Sequence, residues 1–293
     1  MLRHGVLRCS RTPHMAQPEI QIDRFRLEPG RHLHLDDWST RGDDWIHGAQ
    51  DDAKKATKAA NQSLRIELAE LQEQLHATKH SKVLIILQGR DTSGKDSTTR
   101  RVFGECSPLG VRSAPFGAPS TLERSHDFLW RVHQKAPADG EIVIFNRSHY
   151  EDVLIARVEK LVPRKRWTPR YESIVDFERH LVMEGTVILK FFLNISRAEQ
   201  KQRLQDRLDV REKNWKWDPS DLEARARWDD YTTAYEEALA RTGTDLAPWH
   251  VVPADQKWFR DHVVARLVIA ALRRLDMTLP PAPPGLDKIT IPD

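Results

Sequence analysis

A strand that ends in a glycine-rich turn and continues as a helix constrains this chain more than any other stretch. Val83–Leu87 is an unbroken apolar run of strand length. Gln88 and Gly89 end it, and Arg90, Asp91, Thr92, Ser93, Gly94 and Lys95 follow. Asp96–Arg101 is polar and can open a helix. Such a turn points successive backbone N–H groups inward, the helix start adds positive potential, and a Lys ammonium can bridge phosphate oxygens. Gly89, Gly94 and Lys95 fit the spacing G-x-x-x-x-G-K. Asp96 stands where Ser or Thr is usual, and Ser97 is one place late. The competing reading is a strand-to-helix turn with no ligand. Acid beside phosphate is unfavourable unless a cation lies between them, so Asp91 reads as a metal ligand.

The chain of 293 residues suits one large α/β domain or two small ones, and 30% charged residues with 39% hydrophobic fit a globular enzyme. No apolar run approaches the roughly 18 residues of a membrane span. Arg3, Arg8 and Arg11 equal the whole net charge of +3, and residues 1–14 carry no acid. The remainder is neutral, so a basic site must be local and bulk charge makes no case for nucleic acid. The two cysteines, Cys9 and Cys106, form no ligand cluster and point to a reducing, cytoplasmic setting.

Residues 1–19 read as an extension, disordered or mis-started, with Met15 the simpler start; no apolar stretch of 7–15 residues suggests secretion. Ile20–Asp44 is expected to drape over the core. Asp51–Lys79 is helical, and Leu64, Leu68, Leu71 and Leu75 make one stripe that packs on the sheet or on a neighbouring subunit. Val111–Pro115 reads as a strand and Thr121–Gln134 as a helix capped by Ser120 or Thr121. Ile142–Phe145 is a second clear strand, with Asn146, Arg147, Ser148, His149, Tyr150, Glu151 and Asp152 at its C-terminal end, where open α/β sheets hold ligands. Val187–Leu193 and His250–Val252 add strands, which favours a mostly parallel sheet with helices on both faces.

Arg197–Asp209 reads as a helix with Arg203 and Arg207 on one face. From spacing alone that face is solvated; its place after the strand Val187–Leu193 is where a P-loop kinase carries its lid. Lys213, Trp215, Lys216 and Trp217 follow. Leu222–Ala240 reads as a helix whose Trp228, Tyr231 and Tyr235 pack. Ala254-Asp255 would cap a helix over Lys257–Leu275, and residues 281–293 are a proline-rich tail.

The segments GRDTSGKD, FGAPS, HDFLWRVHQKAPADGEIVIFNRSHYEDVL, EQKQRLQDRL, NWKWDPSDLEARARWDDY and APWHVVPADQKWFRD resemble the polyphosphate kinase 2 family, in its class III type, in order from about Ile20 to Pro280. The resemblance implies one P-loop kinase domain over residues 20–280: a three-layer α/β/α sandwich, thymidylate kinase-like, with a helical lid at about 197–222. It implies Mg²⁺-dependent phosphoryl transfer between inorganic polyphosphate and nucleotides, with Mn²⁺ an alternative metal. Asp91 and Lys95 fall on the family's loop Asp and Lys, serving metal and phosphates. Arg147 falls on an Arg that helps hold the transferred phosphate, and Glu151 beside the nucleotide and metal. Arg203 and Arg207 fall in the lid, and Lys213 and Lys216 on its basic stretch. Ser97 departs from a usual Gly: it either crowds the helix start or offers its hydroxyl to phosphate or metal. Asn146, where many relatives carry Asp, implies that both AMP and ADP are acceptors. The expected partners are polyphosphate, AMP, ADP and ATP, and further copies of the chain in a dimer or tetramer; nucleic acid and membrane are not expected. No covalent intermediate is required of His126 or His149. An ATP-dependent nucleoside monophosphate kinase of this fold, or a non-catalytic binder, are the rival readings.

Overall fold

The computed structural model describes residues 21–43, 50–279, 281, 283–285 and 289–291. The N-terminal extension, with Met15 and Cys9, lies outside the described residues, as do parts of the tail. Five parallel strands form the centre: β1 (Lys82–Gln88), β2 (Val111–Pro115), β3 (Ile142–Asn146), β4 (Thr186–Asn194) and β5 (Trp249–Pro253). Their order is β2-β3-β1-β4-β5. The chain therefore crosses from β1 to the edge strand β2, returns to β3, then passes to the other side of β1. That reversal opens a crevice at the C-terminal end of β1. Leu87 lies level with Asn146 and Gln88 with Phe192, so the turn after β1 and the turn after β3 leave the sheet side by side.

Strand alternation divides the core into two layers. Leu84, Ile86, Val143, Phe145, Ile188 and Phe192 face one side. They pack against α7 (Arg170–Met183) and α10 (Trp228–Thr242), whose Ile174, Phe177, Ala238 and Leu239 are buried. Val83, Ile85, Leu87, Ile144, Phe191 and Leu193 face the other side. There α1 (Gln50–Thr78), α2 (Lys95–Val102) and α11 (Lys257–Leu272) cover the sheet. Both faces being covered explains why β1, β3 and β4 read as continuous apolar runs. Leu64, Leu68 and Leu75 of α1 are buried in this second layer with α11, and Leu71 is half-buried. Residues 21–43 do more than drape. Phe25, Leu27, Leu33 and Leu35 are buried, and the Leu27 amide donates to the Trp249 carbonyl on the outer edge of β5.

Several elements differ from the sequence reading. Thr121–Gln134 is two short helices, α3 (Thr121–Ser125) and α4 (Trp130–His133). Ser120 caps the first with a reciprocal Glu123 bond, but the Asp127 carboxylate then accepts from the Leu129 and Trp130 amides and starts a new turn. After two further short helices, α5 (Ile155–Val158) and α6 (Arg164–Trp167), comes α7, which the sequence reading left unassigned. Arg197–Asp209 is helical as read and becomes α8. Leu222–Ala240 is instead α9 (Ser220–Ala226) and α10, broken at Arg227, which reaches sideways to the Val158 carbonyl and Glu159. Asp255 does not cap α11. Its carboxylate accepts from the Ser196 amide and the Thr40 hydroxyl, tying α8 and the N-terminal strap together, and the helix ends at Leu272.

Candidate active site

The loop from Gly89 to Lys95 joins β1 to α2 in a tight curl. Gly89, at φ 147°, lies so close to β4 that a Cβ there would sit 2.8 Å from the Leu193 carbonyl. Thr92 at φ 65° and Gly94 at φ 104° are both left-handed. The Lys95 ammonium is buried and donates to the Gly89 carbonyl at 2.6 Å and the Arg90 carbonyl at 3.1 Å. Burial, and then the charge of Arg147, hold it below the usual lysine value. Arg90 leaves the loop on the opposite side. Its guanidinium stacks 3.7 Å from the Trp228 ring centroid and donates to Thr232, and burial lowers it to about 10. Trp228 is therefore a tie between the loop and α10 as well as a packing residue.

The turn after β3 meets this loop from the side. Arg147 has a left-handed backbone, φ 61°, a conformation that costs an L-residue of order 1 kcal/mol and aims the side chain across the crevice. Its guanidinium donates to Asp91 at 2.6 Å and lies 3.6 Å from Glu151. Burial opposes the charge, but Glu151 and Asp91 together hold Arg147 above its ordinary value. Glu151 also accepts from the Gln88 amide group, which donates to Ser148 as well. The Asn146 amide group donates to Asp96. His149, completely buried, faces Glu178 rather than the crevice, and exposed His126 stacks on Trp130.

Two cavities meet at Asp91 and Arg147. The larger, about 740 Å³, is lined by Thr92, Gly94, Lys95, Asp96 and Ser97 of the loop and helix start, by Asn146, and by Arg203, Arg207, Lys213 and Lys216. Arg100, Arg101 and Lys257 add cations the sequence reading had not singled out. The smaller, about 330 Å³, is lined by Gly89, Arg90, Glu151, Glu159, Glu223, Tyr231 and Tyr235. The sequence-derived site residues are thus gathered at one place, except Ser93, which is buried behind the loop.

The basic residues from α8 onward are not equally free. Arg207 donates to the Lys216 carbonyl and pairs with Asp221, Lys213 pairs with Asp206 at 2.8 Å, and the Lys216 ammonium lies 5.0 Å from the Trp215 ring centroid. Arg203 is buried, and its donors reach Glu199 and four backbone carbonyls. Ser97 neither crowds the helix start nor opens to the cavity alone; its hydroxyl donates to the Gly94 carbonyl and accepts from Arg260. Arg260, Gln200 and Asp221 escaped the sequence reading. The Gln200 amide group donates to the Asp91 carbonyl and helps fix that turn. A signal for Arg260 existed: Arg260-Asp261 interrupts a helix that is otherwise apolar on nearly every side.

Asp221 is pushed up to about 6, first by burial and next by the negative charge of Asp91, against the pull of Arg207. Asp221 and Asp91 both line the larger cavity, each paired with an arginine, Arg207 and Arg147. The raised value has a sign for stability. Between pH 3.8 and about 6 the unfolded chain releases this proton and the folded chain keeps it, so folding weakens as pH rises through that window. Asp221→Asn is therefore expected to gain thermal stability over the unsubstituted protein from about pH 4 to 6 and hold that gain at pH 8. Paired melting curves across pH check this; a pH-independent difference contradicts it.

The family model for polyphosphate kinase 2 matches residues 51–279. An AMP/ADP-polyphosphate phosphotransferase of Meiothermus ruber is 46% identical over 270 residues, 92% of this chain and 100% of that protein. An ADP-polyphosphate phosphotransferase of Rhodopseudomonas palustris is 37% identical, over 92% of this chain and 96% of its own. The crystal structure of polyphosphate kinase 2 from Arthrobacter aurescens superposes with a TM-score of 0.85 at 40% identity, covering 92% of this chain and 94% of that one. With the sheet order, the glycine-rich loop and the Asn146–Glu151 turn already in place, these matches settle the kinship: the chain belongs to the polyphosphate kinase 2 family.

Proposed function

We propose that this protein moves a phosphoryl group from inorganic polyphosphate to nucleoside mono- and diphosphates, AMP to ADP and ADP to ATP, reversibly and with Mg²⁺ or, in its place, Mn²⁺. One observation carries the reading. A long cleft in which cations outnumber carboxylates meets a smaller, carboxylate-rich, tyrosine-lined cavity at the Asp91–Arg147 pair and Ser220. A polyanion with no base to recognise needs a run of Lys and Arg and little else, and the larger cleft offers that. We assign it to polyphosphate, with Arg207, Lys213, Lys216, Arg100 and Lys257 along its length. The smaller cavity is assigned to the nucleoside of the acceptor. The names of the relatives favour polyphosphate over ATP as donor. A cytoplasmic location and assembly with further copies of the chain belong to the same reading.

The chemistry asked of the protein is positioning and charge neutralisation, because phosphoryl transfer needs little covalent help. Lys95 and the loop amides hold the phosphates, and Arg147, at the meeting point, neutralises charge on the moving group. Asp91, with Asp221 near enough to feel its charge, would hold the metal, which when bound spreads the negative charge of the phosphates. Asp91 and Glu151 together would keep the Arg147 guanidinium directed at the transferred group.

Asn146 bears on the acceptor. Its amide group donates to Asp96, so an Asp at this position would set two carboxylates within hydrogen-bond distance. They could coexist only with a cation or a proton between them. That fixes the metal and ties the site to one acceptor length, whereas neutral Asn leaves both open. Product separation after incubation with polyphosphate, Mg²⁺ and AMP or ADP tests the reading. AMP should yield ADP and then ATP, and ADP should yield ATP. Asn146→Asp should change the ratio of AMP to ADP turnover about tenfold, or roughly 1.4 kcal/mol. Use of one acceptor only by the unsubstituted protein, or equal slowing of both by Asn146→Asp, contradicts it.

A further inference from the structure

A loop that turns its amides inward to an anion must turn its carbonyls outward, and in this fold those carbonyls have partners of an uncommon kind. The Ser93 carbonyl accepts from Arg260 at 3.1 Å and from Arg203 at 3.2 Å. Arg203 also donates to the Thr92 carbonyl at 2.9 Å. Its other donors reach the Ala254 and Asp255 carbonyls, at 2.7 and 2.8 Å, and Glu199, at 2.8 Å. Arg260, with no exposed surface, completes the back of the loop. It donates to the Ser97 hydroxyl at 3.0 Å, which donates on to the Gly94 carbonyl, and it is neutralised by Asp261 at 2.6 Å.

We propose that Arg260 and Arg203 are positioning residues that hold the phosphate loop in its anion-binding shape from behind, with Ser97 as the link between Arg260 and the helix start. The proposal depends on the reading that this loop holds the transferred phosphates. It changes the meaning of two sequence features. Arg203 shares a helix with Arg207, but its guanidinium is fully engaged by the protein and has no donor left for polyphosphate. Gly94 is required by Arg260 as much as by its own φ, since a Cβ there would meet the Arg260 guanidinium at 1.9 Å. A lysine cannot replace either one, because a single ammonium cannot span the Ser93 carbonyl and the second partner that each guanidinium reaches.

Arg260→Lys and Arg203→Lys test this in the full-length protein, with two readouts. The first is amide hydrogen exchange in peptides covering residues 89–97, which needs no substrate. The second is steady-state turnover with polyphosphate across a range of salt. Loop exchange should speed up at least tenfold, with exchange in β4 and α7 unchanged. Turnover number should fall 30-fold or more, while the KM for polyphosphate and its salt slope stay within twofold. Lys213→Ala should instead raise the KM for polyphosphate and flatten the salt slope. Ser97→Ala, which removes one hydroxyl, serves if a lysine variant fails to fold; it should speed loop exchange and slow turnover several-fold. Wild-type exchange in the loop of Ser97→Ala, or of a folded lysine variant, overturns the proposal. So does a raised KM with a flattened salt slope in Arg203→Lys, which would make Arg203 a direct polyphosphate ligand. If the unsubstituted protein does not turn over polyphosphate, the functional reading falls, and the exchange result still decides the clamp.

Discussion

Lys95→Ala is expected to lower turnover by about 10²-fold or more and to leave the fold intact. The loop keeps its curl through backbone geometry at Gly89, Thr92 and Gly94 and through the arginines behind it, none of which needs Lys95. What disappears is one fixed charge at a transferring phosphate, and losing such a preorganised donor costs about 3 kcal/mol. The ammonium is ready for that task. It is buried, held below its usual value, and engaged only by two loop carbonyls that a phosphate oxygen can displace. Activity within threefold of the unsubstituted enzyme, from a variant with an unchanged far-ultraviolet spectrum and melting temperature, would contradict the assignment.

Arg147→Lys carries the second large effect, about 10²-fold in kcat with a smaller change in the KM for either substrate. Arg147 reaches Asp91 and Glu151 at once, and only a planar fork can serve both. A lysine keeps the charge but engages one carboxylate, so the group that must meet the moving phosphate loses its fixed direction. Its left-handed backbone makes a sharper comparison available. Arg147→Gly relieves the strained φ and should lose activity at least as completely, while losing less thermal stability than Arg147→Ala. Equal activity of the lysine variant and the unsubstituted enzyme would show that charge alone suffices and that the fork is irrelevant.

Much of the fold was legible because its strands are buried on both faces. Val83–Leu87, Ile142–Phe145 and Val187–Leu193 stand out as apolar runs, and each is a strand within a residue or so at either end. The phosphate loop was legible from two glycines and a lysine. Helix breaks were less so, because their causes lie partly elsewhere in the chain: Arg227 is drawn to Glu159, and Trp228 lies under Arg90. The stripe Tyr171, Ile174, Phe177 and Leu181 carries helical spacing, so the signal for α7 lies in the sequence itself.

The site divides in the same way. The residues assigned to substrate cluster in motifs, and Asp91, Lys95, Asn146, Arg147 and Glu151 line two adjoining cavities. Residues that act from behind lie in segments whose spacing does not say where their side chains point. Spacing put Arg203 and Arg207 on one face, but only the fold shows Arg203 turned to backbone carbonyls and Arg207 to Asp221. Ser97 could by sequence either crowd the helix start or offer its hydroxyl to phosphate or metal, and in the fold that hydroxyl is a partner of Arg260.

The measurement that tests the central claim most directly is a choice of donor. The purified protein is given ADP, Mg²⁺ and polyphosphate in one reaction, and AMP, Mg²⁺ and ATP in another, with products separated over time. The account predicts rapid ATP formation from polyphosphate, steeply weakened by salt, and little phosphoryl transfer when ATP is the sole donor. Rapid conversion of AMP and ATP to ADP, with no turnover of polyphosphate, would contradict it.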